Sequence, residues 1–351
     1  MASLIIPRLY GRINYYYGLK FIDWGGKDVK KIAYDVNTLS DFEREWGVHK
    51  RCKEWWYATG ILFDDENNMY SYQYTLLHIN LGLVTARILM MALTDYRNKK
   101  HYYSQTPTFN KNDLTVTERE ASFKGKAYAV KDENGMNIKL EHSLFTLDLN
   151  ASYGKGAFWH CDNGKLQMGL SGEEETTFYY SYTNMPTQGT LTVNGKEIHL
   201  KGKTWFDRQG GTYSLHKPQT HWEWFSLRFF DEEEVMLFTF PNSKFNDGTY
   251  ISKDGTSRRL RAYTIERTAV DEAAGMRWSA GWKLRLEIKE RDYTIEPMQK
   301  GHINFAYFEE LCYIKGEKGA IVGYCFAELL PGILNDPKKI KISNLFKKIE
   351  L

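Results

Sequence analysis

A chain of 351 residues is too long for one small core and fits either two domains or one large β-fold. Its net charge of +3, with acids and bases interleaved, offers no basic field for nucleic acid, and its four cysteines (Cys52, Cys161, Cys312, Cys325) show neither zinc-site nor disulfide-framework spacing. Aromatic residues make up 15% of the chain and Gly far outnumbers Pro, 28 to 8, a usage that favours strands over helices.

In chain order, the start Met-Ala-Ser-Leu-Ile-Ile-Pro-Arg lacks the long apolar core of a signal peptide, so a cytoplasmic location is expected. Residues 1–44 read as an N-terminal extension in which Ser40-Asp41-Phe42-Glu43 resembles a capping box opening a short helix. Residues 54–60, Glu-Trp-Trp-Tyr-Ala-Thr-Gly, head a strand. Successive strand side chains point to opposite faces, so Trp55 and Trp56 cannot fill one core; a wall with core on one side and a ligand cavity on the other fits both. The apolar run 76–93 is broken by His78, Asn80 and Arg87, which a hydrocarbon core would penalise. It reads as two buried strands joined near Gly82, and no stable membrane insertion is expected.

Asn-Gly or Asp-Gly pairs at 134–135, 163–164, 194–195, 247–248 and 254–255 predict tight turns. The clearest hairpin runs over 190–200 around Asn194-Gly195. Further strands are expected at 136–141, 144–149, 177–182, 222–229, 235–240, 282–287, 306–314 and 321–328. The stretch 203–219, with Gly210, Gly211 and Pro218, reads as a loop between two β-domains. The lysine-rich tail 335–351 reads as a terminal strand or helix laid on a barrel. Many short strands without βαβ alternation mean antiparallel sheets closed or nearly closed into barrels, with few short helices. The expected fold is all-β, with barrels over 45–205 and 206–345.

Three segments place ionisable groups beside indoles: Glu54–Gly60, Gly202–Gly211 and His221–Leu227. An apolar wall raises a carboxylic acid's pKa, so the acid stays protonated near neutrality, and indole faces stabilise a developing carbocation. Acid plus aromatic box suits protonation of an alkene or cyclisation of a polyene. Each member also has a plainer reading: Glu54 as a solvated strand-end charge, Asp207 and Arg208 as a turn-stabilising pair, Trp222 and Trp224 as core, and His221 as a surface or hydrogen-bonded histidine. Glu309 and Glu310 alternate, so one of them faces inward. No G-x-S-x-G or H-E-x-x-H motif occurs and the nine histidines are scattered, so no metal or organic cofactor is expected.

Taken together and in order over roughly 50–330, these motifs resemble the lipocalin-like family of carotenoid 1,2-hydratases and AttH-type proteins, a fold shared by fungal decalin-forming Diels–Alderases. The resemblance rests on Glu54–Gly60 for Glu-Trp-Trp-Tyr-x-x-Gly, on Leu93-Thr94-Asp95, and on Tyr179-Tyr180-Ser181 before a Gly189–Gly195 hairpin. It continues with Gly202–Gly211, where Gly210 stands for the family's Trp, with Trp222–Leu227, with Tyr307–Glu310, where Phe308 stands for Trp, and with Gly323–Leu329. It implies two consecutive lipocalin-like antiparallel β-barrel domains with a pocket between or within them. It also implies catalytic candidates Glu54, Asp207, Tyr180 and Glu223. Trp56, Trp205, His221, Trp222, Trp224, Tyr307 and Glu309 are the expected substrate-binding residues. Gly210 and Phe308, in place of indoles, are expected to enlarge the pocket. The partner expected is a hydrophobic unsaturated small molecule (polyene, terpenoid or polyketide), cyclised or hydrated at a C=C bond; the alternative is a non-catalytic carrier or sensor of such a ligand.

Overall fold

The structure is a computed structural model that describes residues 31–80, 84–170, 175–299, 303–304, 307–336, 338, 340 and 347–350. The expectations for the first thirty residues, for the turn at Gly82 and for tail residues 341–346 lie outside these. Among the described residues the chain forms a fourteen-stranded and a ten-stranded antiparallel sheet, with one short α-helix, Phe42–Glu45. No helix among them is long and apolar enough to cross a membrane. The helix is capped by Asp41, whose side chain accepts from the Arg44 N–H, rather than by the Ser40 of the expected capping box.

At the middle of the first sheet, the strand Lys53–Phe63 lies between Met69–Asn80 and Lys196–Thr212. Tyr57 faces Thr75 on one neighbour and Asp207 on the other. Alternation divides this strand between two interiors. Trp56, Ala58 and Leu62 enter the first sheet's own core with Tyr72, Tyr74, Leu89 and Phe206. Trp55, Tyr57 and Ile61 point the other way, into a layer shared with Tyr179, Trp205, Trp222, Trp224, Phe238 and Phe326 from both sheets. This is where the two adjacent indoles go: Trp56 donates from Nε1 to the Trp46 carbonyl at 3.1 Å, and Trp55 stacks on Trp222 with ring centres 6.3 Å apart. The fully buried Trp56 ring contributes about 3 kcal/mol of transfer free energy, and the half-buried Trp55 less. The second sheet has its own core, including Phe225, Leu227, Trp282, Leu284 and Phe308.

The 190–200 hairpin is present and far longer than expected, Thr176–Val193 against Lys196–Thr212, and Asn194 and Gly195 both take positive φ at its tip. The expected loop at 203–219 is therefore strand as far as Thr212. Gly210 and Gly211 sit within it because a Cβ at either would strike the neighbouring strand, at Glu54 and at the Thr176 carbonyl. The expected division at 205/206 falls inside this strand, and the second sheet opens at Glu223. Asp247-Gly248, read as a turn, also lies mid-strand in Phe245–Ile251: Asp247 is fully buried and accepts from Arg259 Nε at 2.9 Å. The other expected strands are present within a few residues, and Ile349–Glu350 pairs with Lys100–Thr108 at the sheet's edge.

Candidate active site between the two sheets

Asp207 stands on the shared face of Lys196–Thr212 and is 3% exposed. Three donors converge on its carboxyl: Ser181 Oγ and Trp205 Nε1 (2.5 Å) on Oδ1, and Tyr179 Oη on Oδ2 at 2.9 Å. Burial pushes the Asp207 carboxyl up and the three donors pull it back, leaving it at about 7. Behind Ser181, His160 Nε2 lies 2.6 Å from the hydroxyl. Since Ser181 donates to Asp207, His160 Nε2 carries the hydrogen and donates to Ser181. Burial holds His160 neutral, its pKa lowered to about 3. On the far side, Trp224 Nε1 donates to Tyr179 Oη at 3.1 Å, and the Trp224 ring stands edge-on to Trp205 and Tyr57.

A second group of carboxyls borders the same layer. Tyr57 Oη donates to Glu309, Trp222 Nε1 donates to Glu328 at 2.8 Å, and Glu309 and Glu328 face each other on paired strands. Desolvation raises both: Glu328 to about 7, and Glu309 well above the carboxylate range, with the Glu328 charge adding to its shift. Tyr307 Oη accepts from Gln73 and lies 3.2 Å from Thr75 Oγ1, tying second sheet to first. A cavity of about 20 Å³ opens beside Gln73, Tyr96, His101 and Glu309, enough for one water with polar partners. No cluster of three or more metal-ligating side chains occurs among the described residues.

Other expected site residues lie elsewhere. Glu54 faces the first core, fully buried, with Arg208 Nη2 at 2.6 Å, His49 Nδ1 at 3.0 Å and His78 Nδ1 at 3.2 Å. Burial opposes its ionisation, but the Arg208 guanidinium and the two histidines hold its carboxyl well below the usual range, the reverse of a protonated acid. Trp56 lies on that same face under the Arg208 guanidinium, 4.0 Å from its ring centre. Tyr180 also faces the first core and donates to the Phe42 carbonyl at 3.1 Å. Glu223 turns into the second barrel, held by Ser279, by Trp282 Nε1 at 3.1 Å and by Arg267 Nη2 at 3.1 Å. His221 donates from Nε2 to the Leu215 carbonyl at 2.8 Å, in the connection between the sheets. Gly210 abuts Glu54 and Phe178, and Phe308 stacks on Trp278 in the second core, so neither departure from the family pattern opens the shared layer.

A family described as AttH-like matches residues 13–332. The chain belongs to the AttH-like family. Among solved structures, a candidate AttH from Nitrosomonas europaea superposes with a TM-score of 0.76 at 18% identity, covering 87% of this chain and all of its own. Kievitone hydratase from Nectria haematococca superposes with a TM-score of 0.65 at 17% identity, over 80% of this chain and 89% of its own. CghA with Sch210972 gives 0.47 at 8% identity, too loose a superposition to argue from. No curated protein matches the sequence. The first two likenesses fix a lipocalin-like β-fold for this AttH-like chain.

Of the expected residues, Asp207, Trp205, Trp222, Trp224, Tyr307 and Glu309 meet in the shared layer of the AttH-like fold. The structure adds Tyr57, Tyr179, Ser181, His160, Arg228 and Glu328, which the sequence reading did not select. Strand parity with Asp207 was the signal available for Tyr57, its direct cross-strand partner.

Proposed function

We propose that this protein is an enzyme that adds a proton to a C=C bond of a hydrophobic unsaturated small molecule held between the two sheets. The observation that carries this reading is Asp207: a carboxyl titrating at about 7, almost fully buried and ringed by Trp205, Trp224 and Tyr179. An acid of this kind is protonated at neutral pH and close enough to its pKa to give its proton up. In the first step the Asp207 O–H bond breaks and its proton forms a C–H bond with one alkene carbon, leaving a cation on the other. Trp205 and Trp224 present the apolar, electron-rich surroundings in which such a cation is stabilised. A water then adds to the cation and returns a proton to Asp207, so the net change is one water gained. The fold shared with a protein named as a hydratase favours hydration.

The test is to incubate the purified protein with lipid extract from its source and follow compounds by chromatography and mass spectrometry. A gain of one water is expected, reduced at least tenfold by Asp207→Asn in a variant that circular dichroism shows to be folded. A product of unchanged mass and new retention would make the enzyme a cyclase or isomerase. Compounds bound and returned unchanged would make the protein a carrier and end the catalytic reading.

A further inference from the structure

Arg228 crosses from the strand Glu223–Phe229 to the opposite sheet. Its Nη2 donates to Thr59 Oγ1 at 2.5 Å and its Nη1 reaches the Thr59 carbonyl at 3.4 Å. The guanidinium carbon lies 5.5 Å from the Trp205 ring centre and 5.1 Å from that of Phe326. The residue is 8% exposed, its Nε has no hydrogen-bond partner, and no carboxylate among the described residues stands within ion-pair distance of it. Arg208 shows the contrast: fully buried, it has Glu54 at 2.6 Å. Burial lowers the Arg228 pKa only to about 10, so the group stays cationic at neutral pH. Asp207, a nearby carboxyl, is half-neutral there. A buried cation without a counter-charge is costly, and the cost falls when an oxygen acceptor arrives.

We infer that Arg228, positioned by Thr59, receives an oxygen acceptor on the ligand, so that the ligand class is not a pure hydrocarbon but an unsaturated molecule bearing a carbonyl, phenolate or carboxylate oxygen. This rests on the proposed location of the ligand between the sheets, next to Trp205 and Asp207. It makes Arg228 a specificity-determining residue: the indoles accept any apolar skeleton, and the guanidinium selects those with an oxygen at the right place.

Two fluorescent probes separate the two contributions, 8-anilino-1-naphthalenesulfonate and N-phenyl-1-naphthylamine, which share a ring system and differ by the sulfonate. In fluorescence titrations the wild-type protein should bind the sulfonate at least tenfold more tightly than the amine. Arg228→Gln should lose at least tenfold on the sulfonate and leave the amine within twofold, while Arg228→Lys recovers part of the loss. Should Arg228→Gln fail to fold, as judged by circular dichroism, Thr59→Val carries the test, since it frees the guanidinium without removing the charge and should weaken the sulfonate alone. Equal affinities for the two probes, or a sulfonate preference unaltered in the folded variants, would overturn the inference. The readout is binding, so a protein that shows this preference and converts nothing would sink the catalytic reading and leave this one standing.

Discussion

Asp207 and Glu54 are two carboxyls on neighbouring strands, both nearly fully buried, with opposite fates. Neutral donors surround Asp207, so burial prevails and the group rests at about 7; a guanidinium touches Glu54, so the charge prevails and the group stays ionised. Tyr179→Phe removes a donor that favours the Asp207 carboxylate. The acid should then hold its proton to higher pH, and the alkaline limb of the pH–turnover profile should move upward from about 7. A limb that stays put or moves down would show that Asp207 is not the group being titrated. Glu54→Gln should instead leave Arg208 buried without its counter-charge and cost about 3–5 kcal/mol of stability, read as a lowered denaturant midpoint. A change below about 1 kcal/mol would remove Glu54 from the frame of the barrel. The acid flanked by indoles was legible at Asp207 because Trp205 lies two residues away on the same strand face. Glu54 was misread because the cation that fixes its state lies 154 residues further along the chain.

At the scale of the element, one irregularity decides which tyrosine serves the site. Counted back from the Asn194-Gly195 turn, Val193 faces Lys196 and Met185 faces Thr204. The same count would set Tyr182 opposite Asp207 and put Tyr180 on the shared face. A bulge between Tyr182 and Met185 inserts one residue, so Ser181 takes the place opposite Asp207 and Tyr179 follows on its face. Nothing in Tyr182-Thr183-Asn184-Met185 announces a bulge, and Tyr180, the tyrosine implied by the family resemblance, is turned by it into the first core. Deleting Asn184 should restore the plain register, turn Tyr179 and Ser181 into the first core, and abolish turnover or folding, as checked by circular dichroism and product formation. An active, folded deletion variant would show that the bulge does not set the site. The same strand pair hid its length for a related reason: its glycines mark close approach of neighbouring backbone and not a turn.

For the molecule as a whole, the layer between the sheets was the least legible part, because the residues that meet there are far apart in sequence; Tyr57 and Glu309 are 252 residues from each other. That layer also stores protons. Asp207 and Glu328 titrate at about 7 and Asp247, elsewhere in the second sheet, at about 6, whereas an unfolded chain would release these protons near pH 4. The folded state binds more protons across that interval, so stability should fall as pH rises from about 4 to about 7, and the loss should be complete above it. Glu54 acts in the opposite sense, its contribution disappearing only as acid reaches its depressed pKa. Melting temperature should therefore decline from pH 5 to pH 8, and Asp207→Asn should flatten the decline; a profile equally steep in the variant would exclude Asp207 as a source. Along Lys53–Phe63, residues that hold the first barrel and residues that meet the shared layer alternate one for one. Heredity thus has two interleaved texts on a single strand. Descent toward a new substrate can rewrite every second letter while the letters between keep the barrel closed, so chemistry and architecture are free to evolve at different rates within the same eleven residues.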